Sequence, residues 1–217
     1  MKNNEILQKD VQDAIKWEPL LNAAEIGVTA KDGIITLSGT VDCYAKKTEA
    51  EDAAKKVAGV KAVVEKIEVI FSRDNKRDDN DIASEIVHAF NWNLSVPNNK
   101  VKVRVEDGWV TLEGEVQWNY QKEAAKKSVS NQAGVRCITN NITINTDIED
   151  ELDKEDIQAA LARNWSIEAK QIQVEVSGHK VTLTGSVPSW YDKEEATRTS
   201  WNAPGVHAVE NDLLIID

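Results

Sequence analysis

The stretch Val110-Thr111-Leu112-Glu113-Gly114-Glu115-Val116 decides the fold, because the chain contains it three times. Ile35-Thr36-Leu37-Ser38-Gly39-Thr40-Val41 precedes it and Val181-Thr182-Leu183-Thr184-Gly185-Ser186-Val187 follows it. Twenty residues after each glycine stands a Gly-Val pair: Gly59-Val60, Gly134-Val135 and Gly205-Val206. Extended outward, the likeness runs without a gap over residues 10–69, 85–144 and 156–215, at offsets of 75 and 71, with ten positions identical in all three copies. Self-similarity at a fixed period marks a repeated structural unit, so the three copies are read together.

Each copy predicts the same elements. A helix opens at Asp10, Glu85 or Asp156 and carries apolar residues at i, i+3, i+4, as in Ile86, Ala89 and Phe90, which is one buried stripe. Alternation follows in Val101-Lys102-Val103-Arg104-Val105, then Asp107-Gly108, then a second alternating run ending at Val116. Asp-Gly between alternating runs is the strongest short hairpin signal. Asp32-Gly33 repeats it, and Ser177-Gly178-His179 reads as the same turn shifted by one residue. A second helix shows a small-residue face, and Gly59, Gly134 and Gly205 are expected to end it. A last strand closes the unit, with Ile138, Ile142 and Ile144 in the middle copy.

Because the second strand, second helix and third strand form a crossover, the fold class is α+β. Three tandem αββαβ domains are expected over 1–71, 81–146 and 152–217, each a three-stranded mixed sheet with two helices on one face and the other face wet. A unit this small buries only about 60% of its unfolded surface, so the copies are expected to pack on one another.

Composition narrows the function. The 217 residues carry 26 basic and 37 acidic side chains, a formal charge of −11, which argues against nucleic acid and does not favour anionic lipid. The middle stretch 81–144 is neutral, and much of the acid sits in the connecting run Asp147 to Glu155. No run approaches the roughly 20 apolar residues of a membrane helix, and the N-terminal residues lack the apolar core of an export signal, so a cytoplasmic location is expected. Cys43 and Cys137 occupy unrelated repeat positions without a Cys-x-x-Cys partner and are expected to be ordinary thiols.

The pattern Val-x-Val-x-x-Asp-Gly-x-Val-Thr-Leu-x-Gly-x-Val in Val103 to Val116, then a helix, then Gly134-Val135 leading to Ile144, resembles the BON (bacterial OsmY and nodulation) domain. The resemblance covers the whole chain as three copies and departs from the family at Glu65, where Asn is usual, and at the third hairpin. It implies a non-enzymatic protein of osmotic or envelope stress, periplasmic in most relatives, that binds phospholipid or protein. The chain departs from that pattern in showing no export signal.

The residues themselves offer no catalytic constellation. His88, His179 and His207 fall at unrelated repeat positions, and no H-E-x-x-H, G-x-S-x-G or phosphate loop occurs. Asp74 to Glu85 imitates a calcium loop but places Lys76 at a ligand position and Asp79 where glycine is required. No cofactor and no metal are expected. Lys47, Lys122 and Lys193 recur at the start of the second helix, where a cation opposes the helix dipole, which suggests an anion or headgroup contact unless their stems pack on apolar surface. Glu65, Asn140 and Asn211 recur with core-facing parity in the last strand, where they are expected to tie the strand to its neighbours. Of the seven tryptophans, Trp17 and Trp92 close the first helix where the third copy has Arg163, with Trp165 two residues later, while Trp118 with Tyr120 and Trp190 with Tyr191 line the bend before the second helix. Packing within or between copies is the default for such side chains. Trp109 has wet-face parity; burial against the next copy is expected for it, and exposure there would mark a contact surface.

Three partners are therefore in view: a protein or peptide, favoured by the charge; a phospholipid surface meeting Lys122, Trp118 and Tyr120; and a cation acting on carbonyls and carboxylates. Exposed sheet edges would allow a homo-oligomer.

Overall fold

The computed structural model describes residues 3–71, 77–97, 99–145, 154–163, 172–203 and 205–216. Trp165, Asp74 and most of the two connecting stretches lie outside them. The first repeat is built from α1 (Asn4–Trp17), β1 (Ile26–Lys31), β2 (Ile34–Val41), α2 (Tyr44–Lys55) and β3 (Ala62–Val69). The middle repeat has α3 (Asp79–Trp92), β4 (Val101–Glu106), β5 (Trp109–Val116), α4 (Asn119–Ser130) and β6 (Cys137–Ile144). The third has α5 (Lys154–Arg163), β7 (Ile172–Ser177), β8 (Lys180–Val187), α6 (Trp190–Trp201) and β9 (Ala208–Ile215).

The fold is α+β, with three separate sheets in the orders β1-β2-β3, β4-β5-β6 and β7-β8-β9. The first two strands of each sheet pair antiparallel, while β5 with β6 and β8 with β9 pair parallel. Helical stripes close one face: Leu7, Val11 and Ile15 on α1, Ile82, Ile86 and Phe90 on α3, Ile157 and Leu161 on α5 are buried. By packing, the chain divides into two compact units, one of Met1–Thr40, Thr48–Glu68 and Ile148–Asp217, the other of Val41–Lys47 and Val69–Asp147.

The recurring glycine of the deciding stretch has a steric cause. Gly114 pairs with Val101, the first residue of β4, and the chain entering β4 crosses directly over it. A Cβ there would stand 2.0 Å from the Lys100 carbonyl oxygen, and one on Gly39 would stand 2.0 Å from that of Glu25. The φ angles of Gly39, Gly114 and Gly185 are 132°, 138° and 118°, in territory that only glycine occupies readily.

Three local expectations are corrected. The first helices of the first two repeats begin at Asn4 and Asp79, six residues before Asp10 and Glu85, because Asn3 and Asp78 supply the N-caps, accepting from Glu5 N and Asp81 N. The second helices end at Lys55, Ser130 and Trp201, before the glycines, which close a further turn instead. The third hairpin is not shifted, since its loop is the two residues Gly178 and His179, aligned with Asp32-Gly33 and Asp107-Gly108. Positive φ at both loop residues of the first two hairpins, and at Gly178 but not His179, marks a change from type I′ to type II′.

Candidate functional site

In the third repeat the recurring lysine and amide positions act on one strand. Leu213 N donates to Asn211 Oδ1 at 3.0 Å, and Lys193 Nζ donates to the Leu213 carbonyl at 2.8 Å. Both backbone groups of that buried residue are thus met by side chains, on the side of β9 that has no neighbouring strand. Asn211 Nδ2 also donates to the Lys193 carbonyl at 2.8 Å, joining strand to helix. The middle repeat repeats the tie: Ile142 N donates to Asn140 Oδ1 at 3.2 Å and Asn140 Nδ2 to the Lys122 carbonyl at 3.2 Å. In the first repeat Ile67 N donates to Glu65 Oε1 at 2.5 Å. A self-satisfied edge is closed to an added strand at that point, which shifts attention to the sheet faces.

On the helix-free face of the middle sheet, Trp109 sits on the central strand and is 56% exposed. Glu106 and Cys137 flank it across the sheet; Arg104, Thr111 and Thr139 form the next row, and Lys102, Glu113 and Asn141 the third. Arg104 Nη1 reaches Glu106 Oε1 at 3.3 Å. The result is one large aromatic on a mixed-charge, hydroxyl-rich floor. Its counterparts in the other repeats are Ile34, exposed, and Lys180, paired with Glu210 at 2.7 Å.

The remaining aromatics do not gather around Trp109. Trp118, half-buried, and Tyr120, exposed, lie beyond the other end of β5, about 23 Å away at the rise of a strand. Lys122 follows them in α4. Trp17 and Trp92, expected to pack, protrude at the ends of α1 and α3 with 84% and 86% of their surface open. Their exposure was not readable in the sequence, because the last turn of an amphipathic helix can overhang its core. Two of the three histidines do meet: the His179 and His207 rings stack with centroids 4.3 Å apart. Among the described residues no group of three or more His, Cys, Asp or Glu could hold a metal.

Trp190 belongs to a charged cluster in the unit shared by the first and third repeats. Its Nε1 donates to Glu194 Oε1 at 3.1 Å, and Lys55 Nζ lies 2.8 Å from that oxygen, 3.0 Å from Glu51 and 5.7 Å from the Trp190 ring centroid. Tyr191 beside it is exposed. Burial opposes the Lys55 charge, but hydrogen bonds to Glu194 and Glu51 hold its ammonium above the ordinary lysine range. Nearby, burial pushes the Asp52 carboxyl up, and Glu194, Glu51 and Glu49 add to the effect against the pull of Lys55. The folded state therefore binds the Asp52 proton more tightly than the unfolded one, so the resulting destabilisation is complete at neutral pH and vanishes below the ordinary carboxylate value. Asp52→Asn is expected to raise the melting temperature by roughly 2 °C at neutral pH, with the gain shrinking as pH falls toward 4. An equal gain at both pH values in a thermal melt would exclude this origin.

With the geometry in hand, the chain can be set beside known proteins. A family model described as the BON domain matches residues 3–70, 78–146 and 149–217. Osmotically-inducible protein Y of Escherichia coli (strain K12) is 30% identical over 126 residues, which are 56% of this chain and 63% of that protein, so the match spans less than two thirds of the relative. Two solved chains of CdsD, a structural protein of the type III secretion system of Chlamydia trachomatis, align over 97% and 100% of this chain and 92% and 100% of their own. Their identities are 15% and 16% and their TM-scores 0.24 and 0.26, too low to bear on this fold. Three consecutive family matches cover nearly the whole sequence, and this chain belongs to the BON domain family, as three tandem copies.

Proposed function

We propose that the protein is a non-catalytic binding or scaffold protein of osmotic or envelope stress adaptation, and that it engages protein or peptide partners through the helix-free face of its middle sheet. The stress assignment rests on the relative that is named for osmotic induction. The binding assignment rests on Trp109, a large aromatic held on a central strand with 56% of its surface open to water. Aromatic anchors of this kind carry a large share of interface energy, and the floor of Thr111, Thr139 and Asn141 supplies hydrogen-bonding groups that suit a polypeptide. The net charge of −11 disfavours anionic lipid and nucleic acid. Trp109→Ala is expected to weaken binding of a reduced, carboxymethylated unfolded protein about tenfold or more, measured by calorimetry. Unchanged affinity would remove Trp109 from the interface.

A second reading is favoured by a different observation. Trp17 and Trp92 stand free at helix ends, with Leu20 and Leu94 exposed shortly after them, as side chains of a membrane-surface protein would. Sedimentation with phosphatidylcholine vesicles that is lost on replacing both tryptophans by alanine is the result this reading expects; no sedimentation removes it.

A further inference from the structure

The two outer edges of the middle sheet are finished differently. Along β6 the outward N–H of Ile142 is met by Asn140 Oδ1, so that edge caps itself. Along β4 the hairpin sets which groups face out. Its loop is the two residues Asp107 and Gly108, so Glu106 and Trp109 form the closing hydrogen-bonded pair. Bonded pairs then alternate back along the strand through Arg104 with Thr111 and Lys102 with Glu113. The N–H and C=O groups of Val103 and Val105 therefore point away from β5, and among the described residues no backbone or side-chain group bonds them.

The helix side of this edge is also less covered than in the other repeats. Val28, Val103 and Val174 are the same residue at the same repeat position, yet Val28 and Val174 are 4% and 1% exposed while Val103 is only half-buried, as is Val105 beside it. The helix-free side of β4 carries Lys102 and Arg104, both exposed. Their counterparts are Gly27 and Thr29 in β1, and Gln173 and Glu175 in β7, so β4 alone of the three sets two cations along its first edge. Arg104 meets Glu106 at 3.3 Å with both side chains largely open to water, a contact that holds the guanidinium weakly.

We propose that the open edge of β4 receives an extended segment of a partner protein, which adds a strand to the middle sheet and sets acidic residues opposite Lys102 and Arg104. The inference rests on the reading of the middle sheet as a polypeptide-binding surface and adds the mode of binding. Main-chain bonds to Val103 and Val105 supply affinity, and alternate side chains supply specificity. Every second residue of the segment lies beside the two half-buried valines and is apolar, while those between lie on the side that Trp109 shares and meet the cations. Opposite charges directly across a strand pair attract and like charges repel. The same rule disfavours a second copy of this chain as the occupant: antiparallel pairing of β4 with itself about Val103, which engages most of the strand, would set Lys102 against Arg104 on both sides of the axis. Edge cations thus bar self-pairing, as charges on exposed edges commonly do, and leave the edge open to an acidic strand. Glu106, at the hairpin end, calls for an uncharged residue at the third polar place.

Amide exchange of the full chain tests this with the capped peptide Thr-Val-Glu-Val-Glu-Val, whose glutamates meet Arg104 and Lys102 in antiparallel register and whose threonine meets Glu106. At millimolar peptide, protection of the Val103 and Val105 amides is expected to rise at least about tenfold, while the equivalent amides of Val28 and Val174 do not change. The same peptide with lysine for glutamate is expected to protect neither. Lys102→Glu combined with Arg104→Glu is expected to exchange the two preferences, and both positions are exposed, so the fold tolerates the reversal. No rise at Val103 and Val105 with the acidic peptide, or an equal rise with both peptides, would overturn the proposal. Protection that is present without peptide and grows with protein concentration would overturn it in favour of self-pairing. A reduced, carboxymethylated unfolded protein that binds in a manner sensitive to Trp109→Ala, with these two amides still open, would overturn the added strand and leave the Trp109 face standing.

Discussion

Gly114→Ala is expected to unfold the middle repeat at room temperature. The added carbon would lie 2.0 Å from the Lys100 carbonyl oxygen, and the obstacle is the backbone that leads directly into β4. Relief requires moving the strand whose first residue, Val101, lies opposite Gly114 or forcing a φ of 138° on a residue with a side chain. Strain at such a φ and overpacking together come to about 4 kcal/mol, most of the stability a domain of this size possesses. Amide exchange should show protection lost throughout β4, β5 and β6. A variant chain that retains this protection would refute the crossing-chain explanation of the glycine.

Asn211→Leu is the second large effect. Leucine preserves volume but removes the acceptor for Leu213 N, the donor to the Lys193 carbonyl and a 2.5 Å bond to Thr197 Oγ1. A buried N–H is left unpaired, and the Lys193 carbonyl keeps only its helix-side donors such as Thr197 Oγ1, which costs about 2 kcal/mol and lowers the melting temperature of so small a domain by roughly 10 °C. Asn211→Asp, which keeps the acceptor and loses the donor, should fall between the two. A leucine variant melting with the parent would mean that the edge of β9 needs no side-chain caps, and Lys193 would again be available for a ligand.

These two residues also separate what the amino-acid sequence determines locally from what only the folded chain brings together. The triplicate Val-Thr-Leu-x-Gly-x-Val identified the unit, its strand order and its glycine, because binary pattern and steric necessity both repeat with the chain. The wet-face parity of Trp109 was legible through the inward parity of Val110 and Leu112, but its exposure was not, because burial is the default for so large an aromatic. The lysine was not: Lys193 and the Leu213 carbonyl it meets are 20 residues apart across a crossover, so a structural tie looked like a candidate ligand contact. The helix starts were misplaced because the caps are Asn3 and Asp78, upstream of Asp10 and Glu85; beside the second cap, the two oxygens of Asp79 accept from Asp107 N and Gly108 N at 2.8 and 2.9 Å, holding the hairpin turn. His179 and His207 seemed unrelated by repeat position, although aligned with Gly108 and Arg136 they occupy two sites whose backbones touch.

Binding of partners at the Trp109 face can be tested by fluorine spectroscopy of chain labelled with 5-fluorotryptophan, the Trp109 resonance being assigned from Trp109→Phe. Titration with a reduced, carboxymethylated unfolded protein should move or broaden the Trp109 resonance and leave Trp190, held between Lys55 and Glu194, unchanged. A bound complex in which Trp109 keeps its free position would contradict the claim, and if Trp17 and Trp92 respond in its place, the binding surface belongs to the helix ends.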